Sequence, residues 1–239
     1  MPFPLDSGGA CALPAIFLLQ GLALSGKDTA MTTRDEAVEQ LKMIRTMMER
    51  ATIFRALSGE TALIGGAAAL AAAWLSDGKT GWAWANCWLA GLVLVVVFNA
   101  FQIFRASRFH KRAFWSMGLR TALRGAFPSI VAGGFLGLLF VRSGDVTNAY
   151  AAASIWILHY GIALLAIREF APRSMAWLGW IFVVFGLYSL AEITRVNQLP
   201  CYLITRVTPS QLMAIAFGGF HLIYGAIIVT TKERDPDPA

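Results

Sequence analysis

The chain alternates long apolar runs with short polar connections from about residue 57 to residue 231. Six runs can be distinguished, at about 57–75, 84–104, 126–141, 149–167, 175–193 and 211–231. Most are close to the roughly 20 residues that a helix needs to cross the hydrocarbon core of a bilayer. The runs are continuous, whereas the strands of a membrane β-barrel alternate apolar and polar positions. The pattern therefore predicts an all-α membrane protein with six transmembrane helices in one bundle.

Small residues recur at helical spacing within these runs. Gly133 and Gly137 share a face of the third run, and Gly179 and Gly186 share a face of the fifth. Helices in a membrane associate by close packing, so faces of small residues mark helix contacts. The spacing predicts one compact bundle.

A shorter amphipathic segment precedes the first run. Thr33 and Glu36 have the spacing of a capping box, and apolar residues then recur every three or four positions to about residue 55. Residues 31–56 are therefore predicted to form a cytoplasmic amphipathic helix. This helix either lies along the lipid headgroups or packs, as a solvated helix, on its own bundle or on a second copy.

The first 30 residues permit three interpretations. In the first, translation starts at Met31 or residues 1–30 are a disordered extension. In the second, the apolar run before Ala23-Leu24-Ser25 is a marginal secretory signal, although no Lys or Arg precedes Lys27. In the third, that run dips into the membrane without crossing it.

The composition agrees with a membrane protein. Hydrophobic residues make up 57% of the chain and charged residues 14%, and the mean hydropathy is +0.59. A soluble domain has about 25% charged residues. The three cysteines have no metal-like spacing, and a disulfide between Cys87 and Cys201 stays open.

The basic residues predict the orientation. If the six runs cross the membrane in turn, fifteen of the 20 Lys and Arg residues lie on one side and four on the other. Because basic residues accumulate on the cytoplasmic side, both termini are predicted to be cytoplasmic, including the tail at 232–239. The tryptophans predicted to mark the outer interface are Trp74, Trp82 and Trp84, and those predicted to mark the inner one are Trp115, Trp177 and Trp180.

The strongest predicted anchor is the loop between the second and third runs. Its first part carries Arg105, Arg108, Lys111 and Arg112 among aromatic residues. Such a segment could also bind nucleic acid, but both of its ends are tethered to predicted spans. We therefore predict that it binds the bilayer surface through anionic headgroups, and no nucleic acid.

Two histidines lie in the middle of apolar runs, His159 in the fourth and His221 in the sixth. These two runs cross in the same direction in the predicted topology, so the two imidazoles lie at similar depth. They could ligate a haem or a metal ion, or relay protons. The alternative is that each imidazole forms a hydrogen bond with a neighbouring helix.

A second polar group is predicted near the inner leaflet. Glu60 lies one turn into the first run, and Asn99 and Gln102 lie near the end of the second. The three side chains could form a polar cluster or a cation-binding vestibule. The alternative is that Glu60 pairs with Arg55 or Arg124 at the interface.

Motifs of several enzyme classes are absent from the sequence. It contains no Gly-rich phosphate loop, no His-Glu-x-x-His and no Gly-x-Ser-x-Gly. No soluble stretch is long enough to hold a separate active site. The sequence predicts a protein that is not an enzyme, and we assign no catalytic residue, metal site or cofactor.

Four short stretches carry a resemblance to a known group of proteins. They are Met47-Met-Glu-Arg-Ala-Thr-Ile-Phe-Arg-Ala-Leu-Ser-Gly59, His159-Tyr-Gly, Trp177-Leu-Gly-Trp and Phe217-Gly-Gly-Phe-His-Leu-Ile-Tyr-Gly225. From Met31 onward the chain resembles small bacterial inner-membrane proteins that have six predicted spans and no assigned activity. The resemblance implies a location in the bacterial inner membrane and implies no mechanism.

Three functions stay open after these observations. The leading hypothesis is a non-catalytic accessory or sensory subunit that acts through helix contacts with other membrane proteins or with a second copy. The second is a small transporter or proton-linked permease that uses His159, His221 and Glu60. The third is a membrane haem protein ligated by the two histidines. A water-accessible central cavity would favour transport, and a dry, close-packed interior would favour the accessory role.

Overall fold

The chain divides into two units, Met1–Met47 and Met48–Ala239. The computed structural model describes residues 36–41, 43, 59–109, 117–171, 173–194 and 206–234. In the first unit, residues 36–41 and 43 are helical and exposed. The remainder of the predicted amphipathic helix lies outside the described residues, as do residues 1–30 with their three interpretations.

The described part of the second unit is helical and contains no strand. Its first five helices are α1 Gly59–Ser76, α2 Gly81–Phe109, α3 Met117–Val141, α4 Val146–Ala166 and α5 Arg173–Thr194. The last helix, α6, begins with Pro209–Met213, continues as the π-helix Ala214–Phe220 and ends with His221–Arg234. The prediction of an all-α protein is confirmed for the described residues.

Five of the described helices are long and apolar enough to cross a membrane. These segments are Gly81–Arg105, Leu119–Val141, Val146–Ala166, Arg173–Ile193 and Pro209–Thr231. The 18-residue α1, predicted as the first span, is not among them. It is rich in Ala and Gly and carries Glu60 in its first turn. Its role as a sixth span therefore stays a prediction.

The helix α3 begins earlier than the apolar run that predicts it. The run begins at about residue 126, whereas α3 begins at Met117 and includes Arg120 and Arg124. Backbone hydrogen bonding continues through polar residues, so an apolar run marks only part of a helix. Pro128 lies inside α3 and does not end it.

The helix α4 lies at the centre of the bundle, between α3 and α5. Among the 18 most apolar consecutive residues of each helix, 61% are buried in α4 but only 6% in α2. Neighbouring helices run antiparallel, as the approach of Gly59 to Gly225 shows for α1 and α6. The helix α2 is therefore peripheral and packs mainly on α1.

Glycines allow the helices to approach closely. A Cβ atom at Gly161 would lie 2.7 Å from the backbone nitrogen of Val183, and one at Gly186 would lie 2.7 Å from Cα of Leu158. Gly133 lies against the side chain of His159, and Gly137 lies against the side chain of Trp156. The helix contacts predicted for the third and fifth runs are confirmed.

The two ends of the bundle differ in charge. At the end where α1 begins and α2 finishes, the described basic residues are Arg105, Arg108, Arg120, Arg124, Arg168, Arg173, Lys232 and Arg234. The described acids at this end are Glu60, Glu169 and Glu233, and we call it the basic end. The charged residues described at the opposite end are Asp77, Asp145 and Glu192 with Lys79, Arg142 and Arg206, so their formal charges balance.

Candidate functional site

Aromatic rings from α2, α4, α5 and α6 fill the core of the bundle. We define the aromatic centre as Trp84, Trp88, Trp156, Tyr160, Phe182, Phe217 and His221. Trp84 stacks on Trp156, with ring centroids 5.4 Å apart and an interplanar angle of 9°. Tyr160 meets Phe182 edge-on at 4.8 Å. Such pairs add about 0.5–1.5 kcal/mol each to the burial of their area, so the rings hold the four helices together.

His221 is the polar member of this centre. Its Nδ1 lies 2.9 Å from the carbonyl oxygen of Phe217, and its Nε2 lies 2.8 Å from the hydroxyl oxygen of Tyr160. A carbonyl oxygen can only accept, so Nδ1 carries the proton and donates it. In the neutral ring Nε2 then accepts a hydrogen bond from the Tyr160 hydroxyl. Both nitrogens of the imidazole are therefore satisfied within the bundle.

A π-helix directly precedes His221. Ala214–Phe220 has π-helical hydrogen bonding, which is rare and is often found at functional sites. The extra residue per turn rotates the chain after it relative to the chain before it. His221 thereby lies nearly parallel to Phe217, at an interplanar angle of 11°, and faces Tyr160.

His159 faces a different neighbour. Its Nδ1 donates to the carbonyl oxygen of Ile155 at 2.9 Å, and its Cβ lies against Gly133 of α3. The Ser129 hydroxyl of α3 donates to the His159 carbonyl oxygen at 2.8 Å. Successive residues of a helix project about 100° apart, so Tyr160 rather than His159 points at His221. His159 therefore faces α3, whereas His221 of α6 contacts the face of α4 that carries Tyr160.

Among the described residues, no hydrogen bond joins Glu60, Asn99 and Gln102, the polar group predicted near the basic end. Asn99 donates its amide to the carbonyl oxygen of Val95 in its own helix, at 2.8 Å. Gln102 is partly buried and Glu60 is exposed. Arg55, a predicted partner of Glu60, lies outside the described residues. The Asn99 side chain therefore forms a hydrogen bond within its own helix, α2, and Glu60 lies at the surface.

The remaining predicted residues lie partly inside and partly outside the described ranges. Arg105 and Arg108 are exposed at the end of α2, and the Arg108 guanidinium lies 5.3 Å from the centre of the Phe104 ring. Lys111 and Arg112 lie outside the described residues. Cys87 is a free thiol, while Cys201 is not described. Among the described residues, no group of three or more His, Cys, Asp or Glu side chains could hold a metal ion.

Hydrogen bonds close the core at the end opposite the basic end. The hydroxyl oxygens of Ser76 and Ser210 lie 2.8 Å apart, and Trp84 donates its indole N–H to Ser210 at 3.1 Å. Thr208 and Gln211, which have the spacing of a capping box, form one at the start of α6. The bonds to Ser210 join the end of α1 and the start of α2 to the start of α6.

The three tryptophans predicted to mark the outer interface differ in burial. Trp84 is fully buried, whereas Trp74 is 81% exposed and Trp82 is 51% exposed. Trp84 shares a helix face with Trp88, four residues later, and that spacing is the signal for a buried pair. Trp156 and Tyr160 have the same four-residue spacing on α4. Trp88, Trp156 and Tyr160 do not stand out in the sequence, because aromatic residues are frequent in apolar runs.

No protein-family model matches the chain, and comparisons with curated proteins and with solved structures find no match either. The function is therefore inferred from the geometry of the aromatic centre and from the outer surface of the bundle. Both follow from the described residues alone.

Proposed function

We propose that the protein is a six-span integral membrane protein of the bacterial inner membrane that acts as a non-catalytic accessory subunit. It belongs, on this proposal, to the group of small six-span proteins that its sequence resembles. Both termini lie in the cytoplasm, and α1 completes the six spans. The protein works through helix contacts and transports no solute through its centre.

The aromatic centre carries this proposal. A transporter places polar side chains around a site near the middle of the membrane. Here the space around His221 is filled by Tyr160, Phe182 and Phe217, whose ring centroids lie 5.5, 5.4 and 6.3 Å from that of the imidazole. Both imidazole nitrogens are already bonded. A core packed in this way supports a structural role for the histidine.

The charge difference between the two ends supports the orientation. Seven described arginines, one lysine and three acids lie at the basic end, and equal numbers of both signs lie at the other. Basic residues near spans are retained in the cytoplasm. On this proposal the basic end faces the cytoplasm.

Photo-cross-linking in living cells tests the accessory role. A photoreactive amino acid replaces Phe135 on α3 or Val184 on α5, which are 63% and 62% exposed. We expect one adduct of discrete mass from at least one of these faces, and none from the buried Ile157 on α4. Partner peptides in that adduct, found by mass spectrometry, identify the contact. If every exposed face gives only lipid adducts and the purified chain has its own mass alone, the accessory role is wrong.

A second candidate function, a proton-linked transporter, is favoured by two specific features. The π-helix directly precedes His221, and π-helices are frequent at functional sites. The buried indole nitrogens of Trp88 and Trp156 have no hydrogen-bond partner among the described residues, so they could donate to a ligand. The haem hypothesis has no such support, because ligation through His221 would require one of its two hydrogen bonds to break.

Proteoliposomes separate the two candidates. A potassium diffusion potential is applied, and an internal pH dye reports proton entry. On the accessory proposal, vesicles with wild-type protein match empty vesicles. Proton entry that is lost in His221→Phe and kept in His159→Phe would instead favour the transporter.

A further inference from the structure

An open apolar groove of about 880 Å³ runs along α2 on the side of α1. Its wall extends from Leu89 to Phe101, and Ile64 of α1 lies along one edge. The lining residues Val93 and Val97 are both 61% exposed, so the groove faces outward. It is separate from the aromatic centre, which faces the other side of α2.

The length of the groove matches a lipid chain. The segment from Leu89 to Phe101 rises about 18 Å at 1.5 Å per residue. One leaflet of the hydrocarbon core is about 15 Å thick, half of the roughly 30 Å total. An acyl chain of one leaflet can therefore lie along most of the groove.

The groove points toward positive charge. Arg105 lies one turn beyond Phe101, and Arg108 lies one turn further. Leu94, Phe98 and Phe101 line the groove, and their spacing of three and four residues continues to both arginines, so all five share one helix face. Arginine binds phosphate oxygens through two parallel hydrogen bonds.

The balance of charge at this end favours an anionic headgroup. Glu60, one turn before Ile64, adds one negative charge against the two arginines, so the local charge remains positive. The Arg108 guanidinium lies over the Phe104 ring, which keeps it close to the helix surface. A zwitterionic lipid would gain less from this environment than a lipid with net negative charge.

We propose that the α2 groove and the two arginines form a binding site for one phospholipid with an anionic headgroup. One acyl chain fills the groove, and the headgroup phosphate binds Arg105 and Arg108. The proposal rests on the proposed function only in requiring that the bundle be embedded in a membrane. Its test uses the purified chain, without partner or orientation, so the two proposals can fail separately.

Native mass spectrometry of the full chain, released from bilayer nanodiscs, tests the site. The nanodiscs contain equal amounts of phosphatidylglycerol and phosphatidylcholine with the same acyl chains. We expect one bound phosphatidylglycerol per chain. Its occupancy should fall roughly tenfold in Arg105→Gln/Arg108→Gln, because each basic residue contributes to headgroup binding. A similar loss is expected in Val97→Trp, whose side chain fills the groove.

Matched variants provide the controls. Arg142→Gln removes an exposed arginine at the opposite end, and Val184→Trp adds the same side chain to an exposed position on α5. Both should bind phosphatidylglycerol as the wild type does. Thermal melting verifies the fold, and Ala90→Phe replaces Val97→Trp if the latter does not fold.

Three results would overturn the proposal. The first is equal binding of the two lipids. The second is full binding by both groove-filling variants, which would mean that the arginines hold the headgroup without the groove. The third is a change from dimer to monomer in the groove-filling variants at constant lipid occupancy, which would make the groove an interface between two copies.

Discussion

The Tyr160–His221 hydrogen bond is the main polar contact between α4 and α6 in the described core. Its two atoms are 2.8 Å apart and are surrounded by the rings of Phe182 and Phe217. Water cannot replace a partner there, so an unmatched nitrogen would stay unsatisfied. The bond therefore fixes the rotation of α6 relative to α4 as well as contributing to stability.

Replacing Tyr160 with Phe should destabilise the bundle modestly. The substitution removes the donor to His221 Nε2 and keeps the ring. The expected loss is about 0.6 kcal/mol, the average for hydrogen bonds between membrane helices, and at most about 1.7 kcal/mol. Unfolding in mixed micelles with increasing dodecyl sulfate measures it. Tyr188→Phe, at a position 47% exposed on α5, is the control and should be neutral. Equal midpoints for the two variants would mean that the hydrogen bond contributes nothing.

The histidines, but not their partners, could be found from the sequence. An ionisable residue in an apolar run is conspicuous, and the similar depth of His159 and His221 follows from the length of the runs. Which neighbour each one faces depends on the rotation of α4 and on the π-helix before His221. Neither the rotation of α4 nor the π-helix has a sequence signal. The hydrogen bond between Tyr160 and His221 could therefore not be predicted, and the two histidines were considered together instead.

At the scale of helices, backbone contacts at glycine set the distance between α4 and α5. Gly161 lies against the backbone of Val183 and Gly179, and Gly186 lies against the backbone of Leu158. Backbone atoms cannot rotate away as side chains can. Any added side chain must therefore push the two helices apart.

Gly186→Ala should destabilise the bundle although alanine favours helices. The added methyl group would overlap Leu158, and overpacking typically costs about 1–3 kcal/mol. Gly134→Ala is the matched control, because a methyl group at this position on α3 would meet no atom within 4 Å. It should be neutral or stabilising by up to about 1 kcal/mol, from helix propensity alone. Denaturation midpoints that fail to separate the two variants would contradict the close packing of α4 on α5.

Helix existence was predictable at this scale, whereas helix boundaries and irregularities were not. The apolar runs indicate α2 to α6 because length and hydropathy suffice for a membrane helix. The start of α3 at Met117 and the π-helix Ala214–Phe220 leave no mark in hydropathy. The first run is the exception: α1 is a helix, but it is not among the described helices that are long and apolar enough to cross a membrane.

At the scale of the whole molecule, the aromatic centre and the basic end are far apart along the helices. The rings join α2, α4, α5 and α6 near the middle and toward the opposite end, whereas Arg105 and Arg108 lie at the last turns of α2. Orientation in a membrane is governed by charges at helix ends and not by core packing. The fold and the topology can therefore be altered independently.

Neutralising the basic residues from Arg105, at the end of α2, to Arg112 tests the topology without changing a residue of the aromatic centre. On the proposed orientation, Arg105→Gln/Arg108→Gln/Lys111→Gln/Arg112→Gln removes four cytoplasmic basic residues, so we expect lower yield and translocation of this segment in a fraction of molecules. An alkaline phosphatase fused after residue 112 measures that fraction as periplasmic activity. Lys79→Gln/Arg142→Gln/Arg206→Gln is the control from the opposite end and should leave the reporter silent. If the loop variant keeps full yield and a silent reporter, its four basic residues do not orient the protein, and the remaining arginines of the basic end must do so.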